Sequence, residues 1–255
     1  MNINNDKYFH EAGNGHYDAR YFQGIVGSKE IRSILVGLLE SYRRMCSVIG
    51  VAPILMHGAL IGWHWNRRLL PWDDDVDLSM LHQDLEALEK AGEKAWDYDR
   101  SSFHFEINPN HRVRSTRNQS FKDSLEQNKI DARFIHTRTG IFIDITALAL
   151  LPDGRLGTKC PHAYQVDQLF PLSQSEIEGV AISVPHKVEE VLSQEYGIGA
   201  VANPNYGSWR FSHKEKTWLH RLLLEPKVPK DSPSHHPLLS RRPNRQSQPL
   251  GSKMP

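Results

Sequence analysis

Four aspartates fall within five positions, Asp73-Asp74-Asp75-Val76-Asp77, directly after Pro71-Trp72 and directly before Leu78-Ser79-Met80. Carboxylates are almost never fully buried unless paired. A chain that runs such a cluster into an apolar alternation must therefore supply positive charge to it. A hard divalent cation is the simplest supply. Mg²⁺ and Mn²⁺ select carboxylate oxygens, and Mg²⁺ is usually held by one or two carboxylates together with substrate phosphates. From Asp75 to Met80 polar and apolar residues alternate, which is the period of a β-strand. Val76, Leu78 and Met80 then face a core, while Asp75, Asp77 and Ser79 share the opposite face. Two positions along one strand separate the backbones of Asp75 and Asp77 by about 6–7 Å, within reach of one ion. Asp74 points away. Asp73 has the right phase but sits at the strand's entry, as a further candidate ligand. The competing reading is a solvated acidic turn.

Upstream, Pro53–Met56 reads as a short buried strand, His57-Gly58-Ala59 as a turn and Leu60–Asn66 as a short helix. The first N–H groups of a helix placed after such a turn form an anion site. Taken alone, the tripeptide is an ordinary tight turn. Arg67 and Arg68 lie in the loop between this turn and the aspartates. They are candidates for neutralising a substrate phosphate, or simply solvated. Lys129–His136 and Gly140–Leu151 read as a hairpin, with Gly140 in its connection. Asp144 sits inside the second strand, between Ile143 and Ile145. A lone acid there is costly unless paired or metal-bound. It is a third carboxylate for the cluster or a general base, or else the partner of Arg133 on the neighbouring strand, and Arg133 is itself a further candidate, with Arg67 and Arg68, for neutralising a substrate phosphate.

The rest of the chain frames this centre. Residues 1–27 form an arm whose aromatics pack on the body. A helix runs from Lys29 to Ile49, with Ser28 as N-cap and Gly50 after its end. A second helix is expected over His82–Trp96, a strand over Ser102–Asn108, and a surface loop over Asn110–Asn128 carrying Arg112, Arg114 and Arg117. Val180–Val184 is a strand and Pro185–Tyr196 a helix. Asn203–Trp209 is a loop whose Tyr206 and Trp209 pack on the body or stack on a base or sugar. Lys214–Leu224 is a basic amphipathic end. Residues 28–225 thus form one α+β domain, a mixed sheet flanked by helices, and residues 226–255 have the proline-rich, basic composition of a disordered tail.

With a net charge of +1, the bulk composition does not announce a nucleic-acid binder. The two cysteines, Cys46 and Cys160, have no zinc spacing, and nothing supports a disulfide between them. No apolar run reaches the roughly 18–20 residues of a membrane span, and the polar N-terminus lacks a leader's apolar segment. The expectation is a soluble chain.

At HGALIGWHWNRRLLPWDDDVDLSM the sequence closely resembles the LicD/fukutin family, whose hallmark is a small-residue turn, a short helix and PWDxDxD. The likeness extends through KYFHE and HYDARYF, through KIDARFIHTRTGIFIDITAL and into ISVPHKVEEVLSQEYG, covering most of residues 7–210, and looks most like fungal members. The resemblance implies a nucleotidyltransferase (polymerase-β-like) fold. It implies transfer of a phosphorylated group, mannosyl phosphate in fungi, from a GDP- or CDP-linked donor to a glycan or glycoprotein, with Mg²⁺ or Mn²⁺. By position, Asp75 and Asp77 match the metal-binding pair, Asp144 the third carboxylate and Gly58 the glycine of the phosphate turn. Ala59 stands where the family usually has Ser or Thr. One hydroxyl contact is thereby lost, and a hydrogen bond to a charged group contributes about 1.5–3 kcal/mol. Fungal members are Golgi membrane proteins, so the resemblance implies the secretory pathway even though no anchor is visible here. Two other readings stand beside the enzyme: a non-catalytic regulatory paralogue, and a soluble nucleotidyltransferase acting on a small molecule.

Overall fold

The computed structural model describes residues 7–92, 94–99, 101–114 and 128–224. The expected tail and most of the Asn110–Asn128 loop, Arg117 included, lie outside them. The arm contributes β1 (Glu11–Ala12) and β2 (Tyr17–Asp18) before α1 (Ser28–Ile49). There follow β3 (Ile54–Leu55), α2 (His57–Asn66), β4 (Val76–Leu81), α3 (His82–Ala91), β5 (Lys94–Tyr98) and β6 (Ser101–Ile107). The hairpin is β7 (Ala132–His136) and β8 (Phe142–Leu150), followed by β9 (Leu156–Gly157), β10 (Ala163–Tyr164) and α4 (Val166–Leu169). The remainder is β11 (Ser173–Ile177), β12 (Val180–Val184), α5 (Val188–Tyr196), α6 (Gly199–Ala202), β13 (Asn205–Tyr206), β14 (Trp209–Ser212), β15 (Thr217–His220) and α7 (Arg221–Leu224).

One large mixed sheet runs β11-β12-β3-β4-β8-β7-β6-β5, with β9 and β10 attached beside β8. The β4–β8 and β12–β3 pairs are parallel and the rest antiparallel. The helix stripe read from the sequence is the one buried: Leu35, Leu38, Leu39, Tyr42, Met45 and Cys46 of α1 pack on the sheet. Gly50 ends α1 with φ 82°, the left-handed value that a Cβ disfavours. Gly27 rather than Ser28 is the N-cap, and no side chain caps the helix. Cys46 is buried and, like Cys160, free, so there is no disulfide between them.

Two expectations change. The second helix stops at Ala91 because Gly92 takes φ 85°, and Ala95 and Trp96 lie instead in β5, paired with β6. The loop over Asn203–Trp209 carries the short strand β13. The basic amphipathic end, Lys214–Leu224, holds β15, which pairs with β14 in a hairpin, and the helical turn Arg221–Leu224. Arm aromatics pack as expected. Phe9 and Tyr17 are buried, and Phe22 lies 5.0 Å from Tyr17, ring to ring. The Asp18 amide donates to the Gly140 carbonyl at 2.7 Å, which ties the arm to the β7–β8 turn. A Cβ on Gly140 would meet backbone atoms of Asp18 and Phe22 at 3.0 and 3.1 Å.

Candidate functional site

Strand phase places the acids. Val76, Leu78 and Met80 are buried in the core, so the side chain of Asp77 emerges on the other face of β4. In the parallel β4–β8 ladder Asp77 is the register partner of Asp144, and Ser79 of Thr146. Ser79 and Thr146 share a hydrogen bond of 2.8 Å, which fixes that face. The two acids read from separate parts of the sequence are therefore neighbours across one pair of strands.

Asp73 and Asp75 complete the cluster. Asp73 is held well above the usual carboxylate range, at about 8, by burial first and then by its hydrogen bond to Asp75 and the charges of Asp75, Asp77 and Asp74. Asp77 is pushed up to about 7, mainly by burial, with repulsion from Asp75, Asp144 and Glu195 added and the attraction of His57 opposing. Burial likewise raises Asp144, against the pull of Arg133. Such carboxylates are short of positive charge. Asp74 turns elsewhere, to His16 Nδ1 of the arm at 3.4 Å, and the same nitrogen lies 3.7 Å from Asp75.

The turn before the cluster is tighter than the sequence suggests. α2 begins at His57 itself, so Gly58 and Ala59 are its first turn and not a separate loop. A Cβ on Gly58 would stand 2.9 Å from Asp73 Oδ2, so glycine is what lets Asp73 approach the helix N-terminus. Ala59 is buried among the core side chains, which leaves its backbone amide as its contribution.

His57 has φ 53°, uncommon for a residue with a Cβ. Its Nδ1 shares a hydrogen bond of 2.8 Å with Glu195 Oε2, and Tyr164 donates its hydroxyl to Glu195 Oε1 at 2.6 Å. Burial opposes charge on His57, yet Glu195 and Asp77 together hold its pKa above the usual value. The His162 ring lies 5.3 Å from the His57 ring. The sequence reading missed Glu195, Tyr164 and His16. Glu195 left one signal: it falls four and three positions after Val191 and Leu192, on the buried face of α5.

The arginines do not serve as expected. Arg133 is fully buried and wholly committed. Its Nε lies 2.7 Å from Asp144 Oδ1, its Nη2 lies 3.1 Å from Asp144 Oδ2 and 2.9 Å from Glu11, and its Nη1 lies 3.5 Å from Asp18. Phe142 and Phe9 flank the guanidinium at 3.6 and 4.7 Å. It is the support of Asp144, not a phosphate ligand. Arg67 is the C-cap of α2, at the end opposite His57 and Gly58, about 15 Å away at 1.5 Å per residue. Its guanidinium stacks 3.5 Å over Trp63. Arg68 is exposed at that same end. The helix itself separates both from the aspartates.

Whether the cluster fits a divalent ion can be judged from its donors. Asp73, Asp75, Asp77 and Asp144 offer hard carboxylate oxygens, two of them with pKa values that a cation would lower. Among the described residues no group of three or more His, Cys, Asp or Glu is arranged so that it could hold a metal ion. The donor chemistry fits, and the acids would have to draw together on binding.

These features define an α+β domain, a large mixed sheet flanked by helices, with an acidic cluster on the β4–β8 face. The LicD/FKTN/FKRP nucleotidyltransferase domain matches residues 50–187, more than half of the chain, and the chain belongs to that family. It is 27% identical over 205 residues to mannosyltransferase regulator 4 of Saccharomyces cerevisiae, covering 73% of this chain, and 30% identical over 162 residues to mannosyltransferase regulator 14 of the same yeast, covering 58%. It spans only about a sixth (17%) of the length of either relative. Among solved structures, the lincosamide antibiotic adenylyltransferase LnuA with lincomycin bound covers 71% of this chain and is itself 99% covered, at 16% identity and a TM-score of 0.31, a likeness too distant to define the fold.

Proposed function

We propose that this domain has the polymerase-β-like nucleotidyltransferase fold and is a metal-dependent phosphotransferase. It moves a phosphorylated sugar or alditol, mannosyl phosphate in the fungal reading, from a GDP- or CDP-linked donor to a glycan. The observation that carries the reading is the register of Asp77 against Asp144, with Asp73 hydrogen-bonded to Asp75 and lying against Gly58 at the start of α2. Asp75, Asp77 and Asp144, with Asp73, would hold Mg²⁺ or Mn²⁺. Bound there, the ion would neutralise charge on the diphosphate and the leaving nucleotide. The Gly58 and Ala59 amides bind the phosphate at the helix N-terminus, where the dipole favours an anion. Arg133 holds Asp144 by a two-point fork. Glu195 orients His57, whose ring faces the field of Asp77. Transfer of this kind is mostly positioning plus charge neutralisation, which suits a site with no evident nucleophile.

The test is metal-dependent release of nucleotide from GDP- and CDP-linked donors, compared between wild type and Asp77→Ala. Wild-type turnover that needs Mn²⁺ and disappears in the variant supports the reading, and identical background rates in both sink it. A second reading, a non-catalytic regulatory domain, draws on the relatives' names, mannosyltransferase regulators. It predicts donor binding without turnover in the same experiment.

A further inference from the structure

Phosphoryl transfer to a hydroxyl leaves a proton to be placed. When an acceptor oxygen attacks the donor's sugar-bearing phosphorus, its O–H bond breaks and an O–P bond forms. The P–O bond to the nucleotide's phosphate breaks, and its electron pair leaves with the nucleotide. The hydroxyl proton needs a base. Asp73, Asp75 and Asp77 are the proposed metal ligands, and a carboxylate on a cation holds a proton poorly. Asp144 accepts from Arg133 with both oxygens, at 2.7 and 3.1 Å, so a proton would have to displace one arm of that fork.

His57 meets the requirement. Its Nδ1 lies 2.8 Å from Glu195 Oε2, and the other Glu195 oxygen takes the Tyr164 hydroxyl at 2.6 Å. Both partners are sealed: Tyr164 is buried, and the Glu195 side chain has no exposure. Burial works against charge on Glu195, yet the hydrogen bonds of His57 and Tyr164 hold its pKa below the usual carboxylate value. An ionised carboxylate only accepts. Nδ1 therefore carries the hydrogen, and the lone pair of the neutral ring falls on Nε2.

Nε2 is the open nitrogen. It has no hydrogen-bond partner among the described residues, it is not one of their sealed, unpartnered polar atoms, and 12% of the side chain remains exposed. It stands on the side of the ring away from Glu195. Two observations set the ring beside the acidic cluster. His57 is the first residue of α2, next to Gly58, whose added Cβ would lie 2.9 Å from Asp73 Oδ2. Of the charges acting on Asp77, that of His57 is the strongest, ahead of Asp75 and Asp144. The backbone at His57 has φ 53°, a conformation that costs a residue with a Cβ about 1–3 kcal/mol and that gathers at functional sites. Glycine would sit there without that cost, yet the position holds an imidazole.

We propose that His57 is the general base of the transfer, its Nε2 taking the proton of the attacking hydroxyl. Glu195 is a positioning residue, which keeps the hydrogen on Nδ1, and Tyr164 fixes Glu195. This role rests on the phosphotransferase reading of the site.

The full chain is assayed for nucleotide release from GDP- and CDP-linked sugars with Mn²⁺. His57→Gln should lose about a hundredfold or more in kcat, the lower end for a positioned base. It should bind the donor with wild-type affinity by calorimetry and regain part of its rate with added imidazole. His57→Asn, whose side chain tolerates the left-handed backbone, should behave alike and guards against a folding defect. Glu195→Gln should lower kcat about tenfold or more with KM unchanged, because an amide can leave the ring in the wrong tautomer. Nitrogen NMR of the histidine-labelled, metal-free chain reads that tautomer without turnover: hydrogen on Nδ1 of His57 in wild type, and a shift toward the Nε2-bound form in Glu195→Gln. Full rate in both His57 variants, no rescue by imidazole, or hydrogen on Nε2 in the wild type overturns the proposal. Loss of donor affinity in step with rate also overturns it, and makes His57 a phosphate ligand instead. A wild type that turns over no donor sinks the enzyme reading and this role together, whereas a turning-over wild type matched by His57→Gln sinks this role alone.

Discussion

Removing Arg133 tests how the acidic face is held. Its side chain is fully buried and contacts three carboxylates, with both Asp144 oxygens bound at 2.7 and 3.1 Å, Glu11 at 2.9 Å and Asp18 at 3.5 Å. Asp18 keeps Arg20 at 2.9 Å, and Glu11 keeps Lys7. Asp144 has no second cation among the ion pairs of the described residues. Arg133→Met fills much of the same volume but leaves Asp144 buried and uncompensated. Breaking a buried pair in this way costs about 3–5 kcal/mol. For a domain of this size each kcal/mol moves Tm by roughly 2–4 °C, so a drop of about 6–20 °C is expected by calorimetry or circular dichroism. Adding Asp144→Asn to Arg133→Met should recover a good part of that loss, because the stranded charge is gone. Arg133→Lys keeps the charge but not the fork, and should fall between wild type and Arg133→Met. A shift under about 2 °C for Arg133→Met, or a double variant no more stable than the single, would refute the claim that Arg133 exists to hold Asp144.

Gly58→Ala brings a Cβ within 2.9 Å of Asp73 Oδ2, and should lower metal-dependent donor turnover at least tenfold while moving Tm little, read by enzyme assay and melting curve side by side. Asp77→Asn should abolish stabilisation by Mn²⁺ in a thermal shift assay yet leave the metal-free protein as stable or more so, since it removes one of several repelling carboxylates. A strongly destabilised metal-free variant would mean that Asp77 is structural. The contribution of His82 and His111 to stability should fall on acidification below about pH 6.5, the ordinary histidine value, while Asp73 and Asp77, with raised folded values, push total stability the other way over the same range. His82 and His111, with rings 5.3 Å apart, are both held below that value, by burial first and by Arg114 and Arg112 respectively among other charges. A histidine with a depressed folded pKa takes up its proton more readily when unfolded, so its contribution is present above the unfolded pKa and lost as pH falls through the folded one. The difference in urea midpoint between wild type and His111→Gln, followed from about pH 7.5 to 5.5, isolates this contribution and should shift against wild type as pH falls.

How much of this was legible in the sequence follows from the range of the forces involved. Local periodicity fixed α1, β4 and the β7–β8 hairpin, because each shows its buried face in its own residues: Leu35, Leu38, Leu39 and Tyr42 at helical spacing, Val76, Leu78 and Met80 at strand spacing. It failed at Lys94–Tyr98. There Trp96 continues the helical stripe, while Gly92 and the pairing partner Phe103 decide for a strand. The partner lies across the chain and leaves no mark on the segment itself. The same holds for Thr217–His220, whose strand exists because β14 is beside it.

The site divides along the same line. Asp75 and Asp77 were readable because a two-residue period is a local property. The pairing of Asp77 with Asp144 depends on a parallel ladder between strands more than sixty residues apart, and only the topology supplies it. Arg133 shows why a correct contact can still be assigned the wrong role. Hairpin register places it opposite Asp144, as the sequence suggested, but its burial comes from Phe9, Glu11 and Asp18 of the arm. An arginine enclosed on all sides cannot meet a substrate phosphate, whatever its distance along the chain. The arm therefore does more than cover the domain: it fixes Arg133, Arg133 fixes Asp144, and His16 reaches Asp74 and Asp75 from the other side. A segment that reads as an irregular arm thus sets both flanks of the acidic cluster.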